Sequence, residues 1–312
     1  MNDENLNPDI LDVIRNLNRN RHFDGFDDVE FFRIMGKASI VEAARLLPCS
    51  ASQLRQDVFV AVINGFKKNG FFVEIGATDG VYLSNSLMLE KELGWRGILA
   101  EPARNWHEKL VVQRSAAIDL RCVYEETGES VLFREVEGDA ALSTIDIYTE
   151  NDLHKQTRRI AKKYAVETVS LCDLLLQHGA PHQIDYLSVD TEGSEFNILK
   201  HFDFGAYEIG ILSCEHNYNQ NRNDILHLMH DNGFQRVLNK ISLFDDWYIH
   251  ETRLNDLNKT FPDWESVSDQ GDTVAGAPVL EHEKVILQLQ ETVMNLIVDR
   301  DAYKKGYEML RK

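Results

Sequence analysis

Cysteine is scarce in this 312-residue chain, and the four present (Cys49, Cys122, Cys172 and Cys214) form no C-x-x-C pair. That spacing argues against a disulfide framework or a structural zinc site, and buried reduced thiols are the reading that remains. Basic charge is also short. Lys+Arg total 33 against 51 Asp+Glu, a formal net charge of -18, which disfavours a nucleic-acid partner held through its phosphates and favours solubility. No apolar run approaches the ~20 residues of a membrane helix. The N-terminal MNDENLNPDI has neither a basic region nor an apolar core of the signal-peptide kind, so a cytoplasmic protein without a membrane span is expected. No internal repeat is present. A hydrophobic share of 43% is ordinary for a globular chain, and the length suits one large domain with appendages.

Between these absences the chain is well patterned. Asp28 to Leu47 carries apolar residues at helical spacing and reads as a pair of short helices, with a further helix over Gln56 to Phe66. From Phe71 short apolar runs take over: FFVEIGA, GILAEP (97–102), LRCVYEE (120–126), SVLFREV (130–136), IDYLSVDTEG (184–193) and EIGILSCEHN (208–217). Helical stretches separate several of them, at Ser84 to Leu93, Asn105 to Arg114, Leu171 to His178 and Glu195 to Phe202. Buried strands alternating with helices specify an α/β fold whose parallel sheet is covered on both faces. The run 232–251 reads as a closing hairpin. The expected organisation is an N-terminal helical extension (1–56), the main domain (57–261), a linker (262–280) and a C-terminal amphipathic helix (281–312). In that last segment Ile286, Leu289, Val293, Leu296, Tyr303, Tyr307 and Leu310 fall on heptad a and d positions, with Arg300 the charged exception. The segment is either a coiled coil joining copies of the chain into a homo-oligomer or a helix lying on its own domain.

One further absence bears on ligand type. No Gly-x-Gly-x-x-Gly opens a helix, so a pyrophosphate-bearing dinucleotide, and with it a nicotinamide oxidoreductase, is disfavoured. What stands there instead is Val73-Glu74-Ile75-Gly76-Ala77-Thr78-Asp79-Gly80. Glu74 is an acid inside a buried strand, costly unless paired, and a ligand ammonium or a bridging water would pair it. Gly76 and Gly80 carry no Cβ and would let the backbone approach a ligand closely. Glu101-Pro102 closes the next strand, with the carboxylate at its tip placed to accept from two ribose hydroxyls and the proline stiffening the turn. Together these features point to a nucleoside cofactor without phosphate, bound at the carboxyl ends of the strands.

GFFVEIGATDGVYLSNSLMLEKELGWRGILAEP (70–102), VETVSLCDLL (166–175) and IDYLSVDTEGSEFNILKHFDF (184–204) together resemble the FkbM family of S-adenosylmethionine-dependent methyltransferases. The resemblance spans roughly 53–250, and Asp173 occupies the aspartate slot of the family's T-x-x-L-D element. It implies a Rossmann-like, seven-stranded class I methyltransferase sheet, S-adenosylmethionine as cofactor, and methyl transfer to oxygen of a sugar, glycoconjugate or other small natural product, part of glycan biosynthesis where the acceptor is a glycan. The implied cofactor residues are Glu74, Gly76, Ala77, Thr78, Asp79, Gly80, Glu101, Pro102, Ser143 and Asp190.

In that fold the fourth strand ends beside the reacting methyl, which brings Asp190, Glu192, Glu215, His216 and Asn217 toward one pocket mouth. A sugar hydroxyl is a poor nucleophile, so its proton must be held or removed. Two mechanisms fit. In one, His216 is the general base, with Asp190 and Glu192 beside it as catalytic residues; in the other, Asp190, Glu215 and Asn217 hold a divalent ion such as Mg²⁺ that acidifies the hydroxyl. The plainer readings are that Glu192 and Glu195 begin a helix, that His216 is a structural histidine, and that His107, His154, His178 and His201 are solvated. The basic run Lys155, Arg158, Arg159, Lys162 and Lys163 would meet an anionic acceptor or form a helix of exposed charge. The competing class is a non-catalytic module that keeps the methyltransferase fold and assembles through its C-terminal helix.

Overall fold

The computed structural model describes residues 26–136, 140–148 and 161–269. The heptad segment 281–312, and His154, Lys155, Arg158 and Arg159, lie outside the described residues. Seven strands form the main sheet: β1 (Phe71–Ile75), β2 (Arg96–Ala100), β3 (Ala117–Asp119), β8 (Gln183–Val189), β9 (Glu208–Glu215), β10 (Phe234–Val237) and β11 (Asp245–His250). Their order is β10-β11-β9-β8-β1-β2-β3. Six run in the same direction, and only β11 is reversed, antiparallel to its neighbours β9 and β10. The α/β expectation is met by a mixed sheet with helices on both faces.

Side chains alternate across a strand, and here the alternation splits the interior in two. Phe72, Leu99, Tyr186, Ile211 and Trp247 face one side. There they meet α1 (Asp28–Arg33), α2 (Lys37–Leu46) and the wholly buried α3 (Gln56–Ile63). Phe59 stacks on Trp247 with ring centroids 4.7 Å apart, a contact worth ~1 kcal/mol beyond its burial. Val73, Ile98, Leu187, Leu212 and Tyr248 face the other side, against α6 (Leu171–Gln177), α7 (Glu195–Lys200) and α8 (Arg222–Asp231). The N-terminal helices therefore share the core of the main domain. They are tied in by a buried ion pair, Arg55 Nε to Asp28 at 3.0 Å. The stretch expected to begin a linker at 262 also starts inside the fold, because Trp264 and Val267 are buried.

A second sheet was not anticipated. β4 (Cys122–Tyr124), β7 (Ala161–Ser170), β5 (Ser130–Val136) and β6 (Thr144–Ile145) pair in that order, over a small core of Cys122, Phe133, Ile145, Tyr148 and Val166. LRCVYEE and SVLFREV therefore leave the main sheet, whose third position goes to Ala117–Asp119. Lys162 and Lys163 sit on strand β7 instead of a charged helix, and Lys163 pairs with Asp146 at 2.8 Å. Ser170 caps α6 by accepting from the Asp173 N–H at 3.2 Å, and the Thr127 hydroxyl donates to the Asp173 carboxylate. That gives the T-x-x-L-D slot a helix-starting role.

Candidate active site

The candidate site lies at the carboxyl ends of β1, β2, β8 and β9, where the loops after four strands converge. The loop after β1 is shaped from within. Gly76 adopts φ +88°, and a Cβ there would overlap the Asp190 carbonyl oxygen. At Gly80 (φ +81°) a Cβ would lie 2.5 Å from Arg114 Cγ and 2.8 Å from Leu110. Both glycines are thus required by the protein's own packing, which differs from the ligand-approach reason given by the sequence.

Glu74 is likewise paired by the chain. Its carboxylate accepts from Ser84 Oγ (2.9 Å), the Asn85 N–H (2.7 Å) and Ser86 Oγ, with Arg114 Nη1 3.8 Å away. Four partners, three in the loop before α4 (Leu87–Leu93) and Arg114 just after α5 (Arg104–Gln113), offset the cost of burying this acid. Glu74 organises the loop and needs no ligand ammonium to be stable.

Glu101 is 5% exposed at the tip of β2. It accepts the Thr78 N–H (2.8 Å) and the Ala103 N–H (2.7 Å), which ties the two loops together. Burial, reinforced by Asp190 and Glu135, pushes its pKa up to about 8 against those two hydrogen bonds. The preceding peptide carbonyl of this turn, that of Glu101, contacts His107 Nε2 at 3.0 Å, so His107 is half-buried instead of solvated. Asp79 accepts from the Val81 and Tyr82 N–H groups (3.0 and 2.8 Å) and closes its own turn. Ala77 is buried and Pro102 half-buried beside it.

The carboxylates at the ends of β8 and β9 do come together. Oxygens of Asp190, Glu192 and Glu215 lie within 4.8 Å of one another. Asp190 and Glu215 share a hydrogen bond, and burial raises both above the usual carboxylate range. Glu192 joins from a left-handed backbone (φ 59°), and Thr78 (φ 49°), Asn217 (φ 39°) and Tyr218 (φ 54°) are left-handed in the flanking loops. Such conformations are costly for residues other than glycine and gather at functional sites. Asn217 Nδ2 donates to Glu215 (2.7 Å) and Glu192 (3.4 Å). Asp245 extends the row, since it pairs in register with Glu215. It accepts from Gln56 Nε2 at 2.8 Å, and burial pushes its pKa up to about 8. Glu195, expected to begin a helix, does so: it starts α7 and accepts from the Thr191 and Gly193 N–H groups, both at 2.9 Å.

His216 stands apart from this group. It is 1% exposed, and its Nδ1 accepts the Tyr218 N–H at 2.9 Å while Nε2 lies 3.8 Å from Asp246. Asp246 in turn binds Arg222 at 2.8 Å. Burial holds the imidazole down to about 3, so it is neutral at pH 7. Strand alternation is the reason. Glu215 and Asp245 face α3, and the next residue in each case, His216 and Asp246, faces α8. Ser143, expected against the cofactor, accepts the Val136 N–H at 3.0 Å and pins the turn into β6.

Sequence reasoning missed Tyr148 and Asp245, and in the loop that holds Thr144 it gave the cofactor role to Ser143. Thr144 and Tyr148 sit on or beside the unanticipated small sheet, and Asp245 depends on a strand register no local pattern reveals. Two clefts of about 380 and 340 Å³ open at the opposite, amino-terminal ends of the strands, one beside Asp185, Tyr207 and Arg253 and the other beside Arg96 and His178.

The structure is thus a mixed α/β sheet with glycine and carboxylate loops converging at its strand ends. The methyltransferase FkbM domain model matches residues 74–236, more than half of the chain, and the chain belongs to that family. Among solved structures it is similar to that of methyltransferase FkbM from Methylobacillus flagellatus KT, at 15% identity and a TM-score of 0.37, over 78% of this chain. The chain spans 59% of that protein's length. No curated protein matches the chain. Among the described residues no helix is long and apolar enough to cross a membrane.

Proposed function

We propose that this protein is an S-adenosylmethionine-dependent O-methyltransferase acting on a hydroxyl of a sugar, glycoconjugate or other small natural product, and that its main sheet is the Rossmann-like class I methyltransferase sheet. The observation that carries the proposal is the joint between the first two strand ends. Glu101 is buried and bound to the Thr78 N–H across the Gly76–Gly80 turn, within the electrostatic reach of Asp190.

The residues suit the cofactor. A carboxylate has about four lone-pair sites, and Glu101 uses two of them on Thr78 and Ala103, which leaves acceptors for ribose hydroxyls. The turn of Gly76, Ala77, Thr78, Asp79 and Gly80 forms the adjoining wall, closed by Pro102. When bound, S-adenosylmethionine supplies the electrophilic methyl carbon. The remaining work falls to the protein, which must orient the acceptor hydroxyl, exclude water and take its proton.

Asp190 and Glu215, with their shared hydrogen bond and raised affinity for a proton, are the groups we assign to that task, and Glu192 sits beside them. His216 is not assigned as base, since its partners lie on the other face of the sheet. A divalent ion is the second reading. Three carboxylates within 4.8 Å are hard oxygen donors of the type Mg²⁺ takes, with Asp190, Glu215 and Asn217 as the ligand set, Glu192 added, and the Asn217 amide rotated to present its oxygen.

Calorimetry with S-adenosylhomocysteine tests the cofactor reading. Binding by the wild type and a loss of about tenfold or more in Glu101→Ala are expected, from two lost hydrogen bonds; absence of wild-type binding refutes it. Chelator sensitivity reversed by Mg²⁺ would select the metal reading over the carboxyl pair.

A further inference from the structure

The small sheet meets the 190–193 loop through a specific contact. Thr144 is fully buried at the start of β6. Its hydroxyl lies 2.9 Å from the Glu192 carbonyl and 3.4 Å from that of Thr191. Tyr148 follows four residues later, 8% exposed, with its hydroxyl 3.0 Å from that of Tyr124 on β4. A Cβ placed on Gly193 would come 3.0 Å from Tyr148 Cβ. The 190–193 loop is therefore held from the side opposite the Gly76 turn by one hydroxyl and one ring.

What they hold is an unfavourable conformation. Glu192 has φ 59° and Gly193 φ 123°. A left-handed glutamate relaxes to a right-handed or extended backbone unless its surroundings forbid it. Relaxation would turn the Glu192 carbonyl and swing its carboxylate away from Asp190 and Glu215. The last ladder contact of the main sheet with the loop is the Asp190 N–H to the Ile75 carbonyl (3.0 Å), two residues earlier; beyond it the Glu192 carboxylate is met by Asn217 Nδ2 (3.4 Å) and its carbonyl by the Thr144 hydroxyl.

We propose that Thr144 is a positioning residue. By donating to the Glu192 carbonyl it locks that residue in its left-handed conformation and so assembles the Asp190–Glu192–Glu215 group, which makes the small sheet a working part of the active site. Its consequence for ligand binding rests on the function proposed above; the lock itself does not.

The test compares Thr144→Val, which keeps the shape and removes the hydroxyl, with Thr144→Ser, which keeps the hydroxyl. Amide hydrogen exchange is read over Thr191–Ser194, where the Thr191 and Gly193 N–H groups bond to Glu195. The valine variant should exchange there about tenfold faster, the equivalent of one net hydrogen bond, with Phe72–Ile75 unchanged. The serine variant should match the wild type. S-adenosylhomocysteine affinity should follow the same pattern, falling in valine and restored in serine. Wild-type exchange in the valine variant, or a serine variant behaving like valine, would overturn the proposal. Thr144→Ala serves if the valine variant loses its fold. Should the wild type bind no S-adenosylhomocysteine, the function reading fails and the exchange comparison still decides the lock.

Discussion

The two ends of the main sheet differ in how they treat charge. At the amino-terminal ends a buried acid meets a cation: Asp185 takes Lys67 at 2.8 Å and the Phe71 N–H. Open clefts lie there, but an ion pair satisfies this acid. At the carboxyl ends Glu101, Asp190, Glu215 and Asp245 are crowded together, each with its proton affinity raised by burial, and the flanking loops hold left-handed residues that are not glycine. The perturbed acids favour the second end, and such perturbation marks a working site.

The sharpest way to break the comparison is at Gly76. Gly76→Ala places a methyl group on the Asp190 carbonyl, so a loss of about 4 kcal/mol or more, or no folded protein, is expected on thermal unfolding. A smaller effect comes from pH. Glu101 and Asp245 have folded pKa values of about 8, above their unfolded ones. The folded state therefore holds protons that the unfolded state has released. Their stabilising contribution is complete below about pH 4 and is lost as pH rises through about 8, a change on the order of a few kcal/mol. Asp245→Asn should flatten that slope in a thermal-midpoint series. Glu90 works in the opposite direction. Burial opposes its ionisation, but Arg114 at 2.9 Å outweighs it and holds the pKa near 2, so its contribution is lost only as pH falls below about 4.

Smaller again is His216→Ala. Removing a buried partner of the Asp246–Arg222 cluster should cost about 1–3 kcal/mol of stability and leave S-adenosylhomocysteine affinity within about twofold. Intact stability with abolished methyl transfer would restore the histidine as base. The least effect belongs to the opposite end: Glu208→Ala, at the rim of the larger cleft, should change stability by less than about 0.5 kcal/mol and ligand affinity not at all.

Much of this architecture was legible in the sequence. FFVEIGA, GILAEP, IDYLSVDTEG and EIGILSCEHN all became strands of the main sheet, because runs buried on both faces leave a nearly continuous apolar signature. The helices between them fall within a few residues of the expected bounds. Two kinds of information were hidden. The small sheet is half-exposed, and β7 carries two exposed lysines, Lys162 and Lys163, so AKKYAVETVS reads as part of a charged run. Direction across the main sheet was hidden as well. His216 and Glu215 are neighbours in sequence, yet alternation sends them to opposite faces, and only register shows that Glu215 shares a row with Asp245. Glu74 and Gly76 were found correctly as unusual residues, but their partners are Ser84, Ser86, Arg114 and Asp190, which no local motif names.

Hydrogen exchange of the wild-type protein with and without S-adenosylhomocysteine tests most directly the proposal that ligand binds at the carboxyl ends of β1, β2 and β8. Protection is expected over Gly76–Val81, Glu101–Ala103 and Asp190–Gly193, with no change at Gln183–Asp185 or Glu208–Gly210. Protection confined to the latter segments, at the open clefts, would contradict it.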